Sequence, residues 1–103
     1  MSFGVMGGPM QAQGHLQMIT RIFDYAQNPQ SASDAPRWQV MGGNRVLVED
    51  GFAPNVLSDL RSRGHVIEVA SPIEFGGAQL IYKLDHGYLA ASDWRKDGEA
   101  VGF

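Results

Sequence analysis

The chain has 103 residues, 44% of them hydrophobic and 18% charged, a formal charge of −3 and no cysteine. That length suits one small core, since a domain of this size buries roughly two-thirds of the surface its unfolded chain exposes. The charge balance excludes phosphate-driven nucleic-acid binding, which needs basic clusters; the missing cysteines exclude disulfides and thiolate metal sites but leave the compartment open.

No apolar run approaches the ~20 residues of a membrane span, and residues 1–5 lack the basic region and long apolar stretch of a signal peptide. Residues 3–6 read as a buried strand entered almost at once, as in a truncated chain, and ending at Gly7-Gly8. Pro9 then suits a first helical turn. Across residues 10–26, Leu16, Ile19, Ile22, Phe23 and Ala26 recur at helical spacing and predict one core-facing stripe. Gln11, Gln13, Gln17, Arg21 and Asp24 supply the polar remainder, and Gly14 weakens the middle or permits close packing. Asn28-Pro29 is a cap followed by a first-turn proline, which predicts a helix over 29–35 stopped by Pro36. Residues 38–41 and 45–49 read as a hairpin around Gly42-Gly43-Asn44.

Pro54 opens a third helix with Val56, Leu57 and Leu60 on its apolar face and Gly64 as its stop. Residues 65–69 alternate as a strand, 71–77 are loop, and 78–84 with 88–91 form strands around Asp85-His86-Gly87. From Ser92 onward the chain is polar and irregular. The order is β-α-α-β-β-α-β-β-β, a single α+β domain over 1–103 with mostly antiparallel strands and no internal repeat.

Strand, Gly-Gly, helix is the arrangement that leaves several backbone N–H groups unpaired at one place. The helix dipole adds partial positive charge there, and glycine lets a ligand approach closely. Gly7 and Gly8 therefore suit a phosphate, a carboxylate or a developing oxyanion; on these residues alone, a tight turn with no ligand is the reading to prefer. His15, His65 and His86 lie far apart and no acidic residue sits at metal-ligand spacing, so neither metal nor cofactor is expected. Ser31, Ser33, Ser58, Ser62, Ser71 and Ser92 fall where serine usually bonds the backbone, and Thr20 lies inside the first helix. No convincing nucleophile emerges. Ser92-Asp93 with Arg95 and Asp97 reads as a turn-rich tail pinned by an Arg–Asp pair.

Three stretches in order, "FGVMGGPMQAQGHLQ", "NPQSASDAPRW" and "ASDWRKDGEAVGF", joined by "VEDGFAPNVLSDLRSRGH" and "GGAQLIY", resemble the carboxy-terminal part of the gamma-glutamyltransferase family. The resemblance covers essentially the whole chain. It implies a portion of an N-terminal nucleophile hydrolase αββα sandwich, taken from the small subunit of an autoprocessing enzyme. The family's nucleophile is the small subunit's N-terminal threonine; it has no match here and is expected upstream, so the chain alone is expected to be inactive. The family's oxyanion-hole glycines match Gly7 and Gly8.

The implied partners are a gamma-glutamyl small-molecule substrate, the rest of the small subunit and the large subunit. The implied location is periplasmic or extracellular, with the cytoplasm open. Where well-studied transpeptidases carry proline before the glycine pair, this chain has Met6, and some relatives act on glutaryl groups. A glutaryl-amide acylase and a non-catalytic anion- or partner-binding module are therefore the alternatives. Gln11, Gln13 and His15 either face the site or lie on a helix surface. Uncovered sheet edges predict self-association of the isolated chain.

Overall fold

A computed structural model describes residues 1–103. Strand β1 (Ser2–Met6) leads through the glycine pair into helix α1 (Met10–Ile19), which continues as a π-helical turn (Thr20–Asp24). Helix α2 (Pro29–Asp34), the hairpin β2 (Trp38–Gly42) and β3 (Arg45–Val48), helix α3 (Pro54–Ser62) and β4 (Val66–Val69) follow. A 3-10 turn (Pro72–Phe75) precedes β5 (Gly77–Lys83) and β6 (Tyr88–Ser92). The expected order holds throughout.

The strands form two three-stranded sheets. One runs β1-β5-β6 and is antiparallel throughout. The other runs β2-β3-β4, with β2–β3 antiparallel and β3–β4 parallel across the α3 crossover. In the first sheet the register sets Val5 beside Ala78, and Leu80 between Phe3 and Ala91. Alternation then puts all of these side chains on one face. That face meets Met18, Ile22 and Ala32 of the helical layer to form the core. Full burial of a side chain such as Val5 or Met18 contributes about 1.5–3 kcal/mol.

Local signals act as their chemistry dictates. Asn28 Oδ1 accepts the N–H groups of Gln30 and Ser31, capping α2 at 2.9 and 3.4 Å. Gly64 closes α3 with φ +97°, a conformation most residues avoid.

The buried stripe of the first helix is the expected one only at Ile22. Met10, Gly14, Met18 and Ile22, four residues apart, face the sheet, while Leu16 and Phe23 are 56% and 52% exposed. Gly14 decides this. A Cβ there would stand 2.6 Å from Val5 Cγ1, so only a face with glycine at this position can lie this close to β1. The helix also ends earlier than residue 26, through the π turn, and Ala26 takes φ +51°. On α3, Leu57 and Leu60 are half-buried and Val56 is exposed. Leu60 lines an apolar cavity of ≈ 200 Å³ with Trp38, Val48 and Ile67.

Gly14→Ala forces a methyl group into Val5 and is expected to destabilise the protein by about 1–3 kcal/mol. Urea denaturation of the variant against wild type measures it, and equal midpoints would show that the strand and helix have room to separate.

Candidate functional site

Gly7 and Gly8 turn the chain from β1 into α1 with φ of +137° and +58°. Their carbonyls accept from Met10 N and Gln11 N and start the helix. Their own N–H groups donate to no other group of the chain, and both residues are exposed. The corner is tight beneath. A Cβ on Gly7 would lie 3.1 Å from Gly76 Cα, and one on Gly76 would collide with the Met6 carbonyl. Such a corner can hydrogen-bond an anion or a polarised carbonyl oxygen from the solvent side.

The polar residues that follow separate. Gln11 is exposed, and it lines a shallow cleft of ≈ 350 Å³ together with His15, Met6 and Gln79. His15 turns back to β1, where its Nε2 accepts Val5 N–H at 3.1 Å. Gln13 and Gln17, placed on the polar side by sequence reasoning, instead seal the edge of β2. Gln13 donates to Val40 O and accepts from Val40 N, at 3.1 and 2.7 Å; Gln17 does the same with Trp38, at 2.8 and 3.0 Å. One helical step of four residues rises about 6 Å and two strand residues about 6.8 Å, so the two carboxamides match alternate residues of the strand. Gln30 pairs in the same way with Ser92 on β6.

His86 is exposed in its turn, as expected, and His65 is half-buried with its Nδ1 unpartnered. Ser62 bonds the backbone of Asp59, whereas Ser33 and Ser92 bury their hydroxyls without partners. The structure groups no set of histidines and carboxylates able to hold a metal. No helix is long and apolar enough to cross a membrane.

The expected Arg–Asp pair near the tail is part of a larger buried cluster. Asp93 Oδ2 accepts Arg37 Nη2 at 2.7 Å and Ala78 N at 2.6 Å. Asp93 Oδ1 accepts Arg95 N and Nη1 at 2.9 and 3.0 Å. Glu49 takes Arg95 Nε at 2.6 Å, a second Arg95 N–H in bidentate fashion, and Arg37 N at 2.7 Å. The side chains of Arg37, Asp93, Arg95 and Glu49 are at most 3% exposed. Glu49 was missed in sequence, because a carboxylate at a strand end carries no local mark of a distant arginine.

Burial works against a charged Asp93, but the N–H groups of Ala78 and Arg95 and the Arg37 guanidinium outweigh it and hold the carboxyl below its ordinary value. At Arg37 burial prevails over the pull of Asp93 and lowers the pKa. At Arg95 burial acts in the same direction, but the Glu49 hydrogen bonds and the Asp93 charge override it and raise the pKa. Both guanidinium groups remain protonated. The cluster is neutral and closed to solvent, so it acts as scaffold.

The gamma-glutamyltranspeptidase family profile matches residues 1–103. The chain belongs to that family. It is 35% identical to the glutathione hydrolase-like YwrD proenzyme of Bacillus subtilis across 97% of its own length and 21% of that protein. It is 31% identical to the oxamate amidohydrolase proenzyme of Klebsiella pneumoniae across 100% of its length and 21% of that protein. The crystal structure of cephalosporin acylase from Bacillus halodurans superposes with a TM-score of 0.89 at 44% identity, covering 94% of this chain and 19% of that one. The chain thus spans about one fifth of the length of these relatives. Its fold is a fragment of the αββα sandwich of N-terminal nucleophile hydrolases.

Asp93→Asn leaves two buried guanidinium groups without a full counter-charge and is expected to cost about 3–5 kcal/mol. Because the Asp93 pKa is depressed from 3.8, its contribution is fully present above that value and is lost as pH falls through the folded-state pKa. Denaturation measured at neutral and at acid pH checks both: the variant should be weak at neutral pH and should lose less of its stability on acidification than wild type.

Proposed function

We propose that this chain is the C-terminal part of the small subunit of an autoprocessed amide hydrolase, and that the Gly7 and Gly8 N–H groups form its oxyanion hole. The observation that carries the reading is the pair of unpartnered glycine N–H groups at the strand-to-helix corner. A nucleophilic threonine outside this chain would attack the amide carbonyl carbon. Its proton passes to the leaving nitrogen as the carbon–nitrogen bond breaks. Water then cleaves the acyl ester, releasing the acid and restoring the hydroxyl. The developing negative charge on the carbonyl oxygen falls to the glycine donors, whose loss typically costs about a hundredfold or more in rate.

Within the family we favour an acylase over a gamma-glutamyl transferase. The acylase relative shares 44% identity over nearly the whole chain, and Met6 stands where transpeptidases carry proline. A gamma-glutamyl amide, oxamate and a glutaryl amide all carry a carboxylate on the acyl side. The substrate class is therefore an amide of a short acyl group ending in a carboxylate, with a glutaryl amide as the probe. The remaining subunit mass is the natural cover for exposed Leu16, Phe23 and Ile81.

Expressed with the rest of its reading frame, the protein should split into two pieces, the smaller starting at threonine, as intact mass will show. It should cleave glutaryl anilide with a higher kcat/KM than gamma-glutamyl anilide, because an acylase pocket with no partner for the alpha-ammonium would leave that charge desolvated and unpaired. The opposite ranking would return the enzyme to the gamma-glutamyl class. Gly8→Ala meets open space and costs little packing, although its φ is +58°. The strain that this φ puts on alanine should nevertheless turn the N–H donors and lower kcat by about a hundredfold. Near-normal turnover in this variant and in Gly7→Val, which combines φ +137° with a Cβ 3.1 Å from Gly76 Cα, would remove the glycines from the mechanism.

A further inference from the structure

We propose that His15 is a positioning residue for the Gly7-Gly8 corner: its Nε2 takes the Val5 N–H and so holds the free edge of β1 against α1. The inference rests on the reading of that corner given above. Strand β1 has one neighbour in its sheet, β5. In an antiparallel pair each residue directs its N–H and C=O to the same edge, and the next residue directs them to the other. The Val5 N–H points away from β5 and toward α1, where His15 Nε2 receives it at 3.1 Å. The imidazole nitrogen stands where a second strand's carbonyl would otherwise be. Because Nε2 accepts, the hydrogen of the neutral ring sits on Nδ1.

The ring is itself held. Phe3 meets it edge-on, with centroids 5.2 Å apart and planes at 78°. Gly14, the preceding residue of α1, receives the Val5 side chain. Consecutive helix residues thus seat the side chain and the N–H of one strand residue, two positions before Gly7. On the opposite edge Met6 pairs with Gly77, and its carbonyl lies directly over Gly76. The corner is clamped from β5 on one side and from His15 on the other. A misplacement of about 1 Å in such a donor pair can cost about a hundredfold in rate. His15 is not a general base on this geometry, because the lone pair that would take a proton is engaged by the backbone.

The test uses the complete enzyme that carries this chain. His15→Phe keeps an aromatic ring beside Phe3 and removes the acceptor; His15→Gln places an amide oxygen near the position of Nε2. The Phe variant should lower kcat on glutaryl anilide roughly 10- to 100-fold with KM changed by less than about twofold, since the lost stabilisation belongs to the transition state. Hydrogen–deuterium exchange of the peptide spanning residues 3–10 should quicken. The Gln variant should recover most of both.

Unchanged kcat in the Phe variant, or a Gln variant as slow as Phe, overturns the proposal. If wild type cleaves no amide, the functional reading fails by itself. Exchange then decides this one: faster in Phe and restored in Gln supports it, and equal rates in all three defeat it. Should His15→Phe fail to fold, the ring nitrogens of wild type are read directly by nitrogen-15 NMR. An Nδ1–H tautomer supports the assignment and an Nε2–H tautomer ends it.

Discussion

Arg37 and Arg95 meet Asp93 and Glu49 in a space closed to solvent, and the rest of the fold is arranged around that meeting. Four parts of the chain end there: the C-terminus of α2, the end of β3, the start of β5 and the end of β6. The guanidinium groups also take the carbonyls of Ser33, Ala35 and Phe75, which the ends of helices and turns leave without partners. Desolvating four charges is costly, and mutual attraction offsets it only when the remaining hydrogen-bond capacity is filled. Here it is nearly filled; Arg37 Nε and Ser33 Oγ are the exceptions. The two sheets share no ladder, so this cluster is one of the few devices that fix one against the other.

The glutamines are a second such device. A strand edge presents unpaired donors and acceptors that would recruit another strand. A carboxamide carries one donor group and one acceptor, the same pair as a peptide unit. Gln13 and Gln17 on α1 and Gln30 on α2 therefore complete strand edges in place of backbone. Helix α1 serves both sheets at once. Its Gly14 face lies on β1 and its glutamine row on β2, while the glycine corner stands at its N-terminus. The position of the proposed oxyanion donors is thus set by the same helix that joins the two halves.

Backbone-level features were legible in the sequence. The order of elements, the Asn28 cap, the Gly64 stop and the glycine turn are each dictated within a few residues by φ preferences and local hydrogen bonds, and each appears where the residues place it. The family resemblance added the fold and suggested the role proposed for the Gly7-Gly8 pair. The core-facing stripe of the first helix was not legible. Side-chain apolarity favoured Leu16, Ile19 and Phe23, whereas the face that could come close enough to β1 was the one bearing Gly14.

Sequence by itself determined the local alphabet: which segments are helix or strand, where they stop, and that a strand enters a helix through two side-chain-free residues. Those choices depend on neighbours within one or two turns. The tertiary structure alone decided which polar residues are scaffold. Nothing near Glu49 marks it as the partner of Arg95, 46 residues away. Nothing near Gln17 marks it as a surrogate for a strand, and nothing near His15 shows that its ring nitrogen closes on Val5. A buried hydrogen bond is specified by the approach of two distant segments, and that approach is fixed only when the whole core packs.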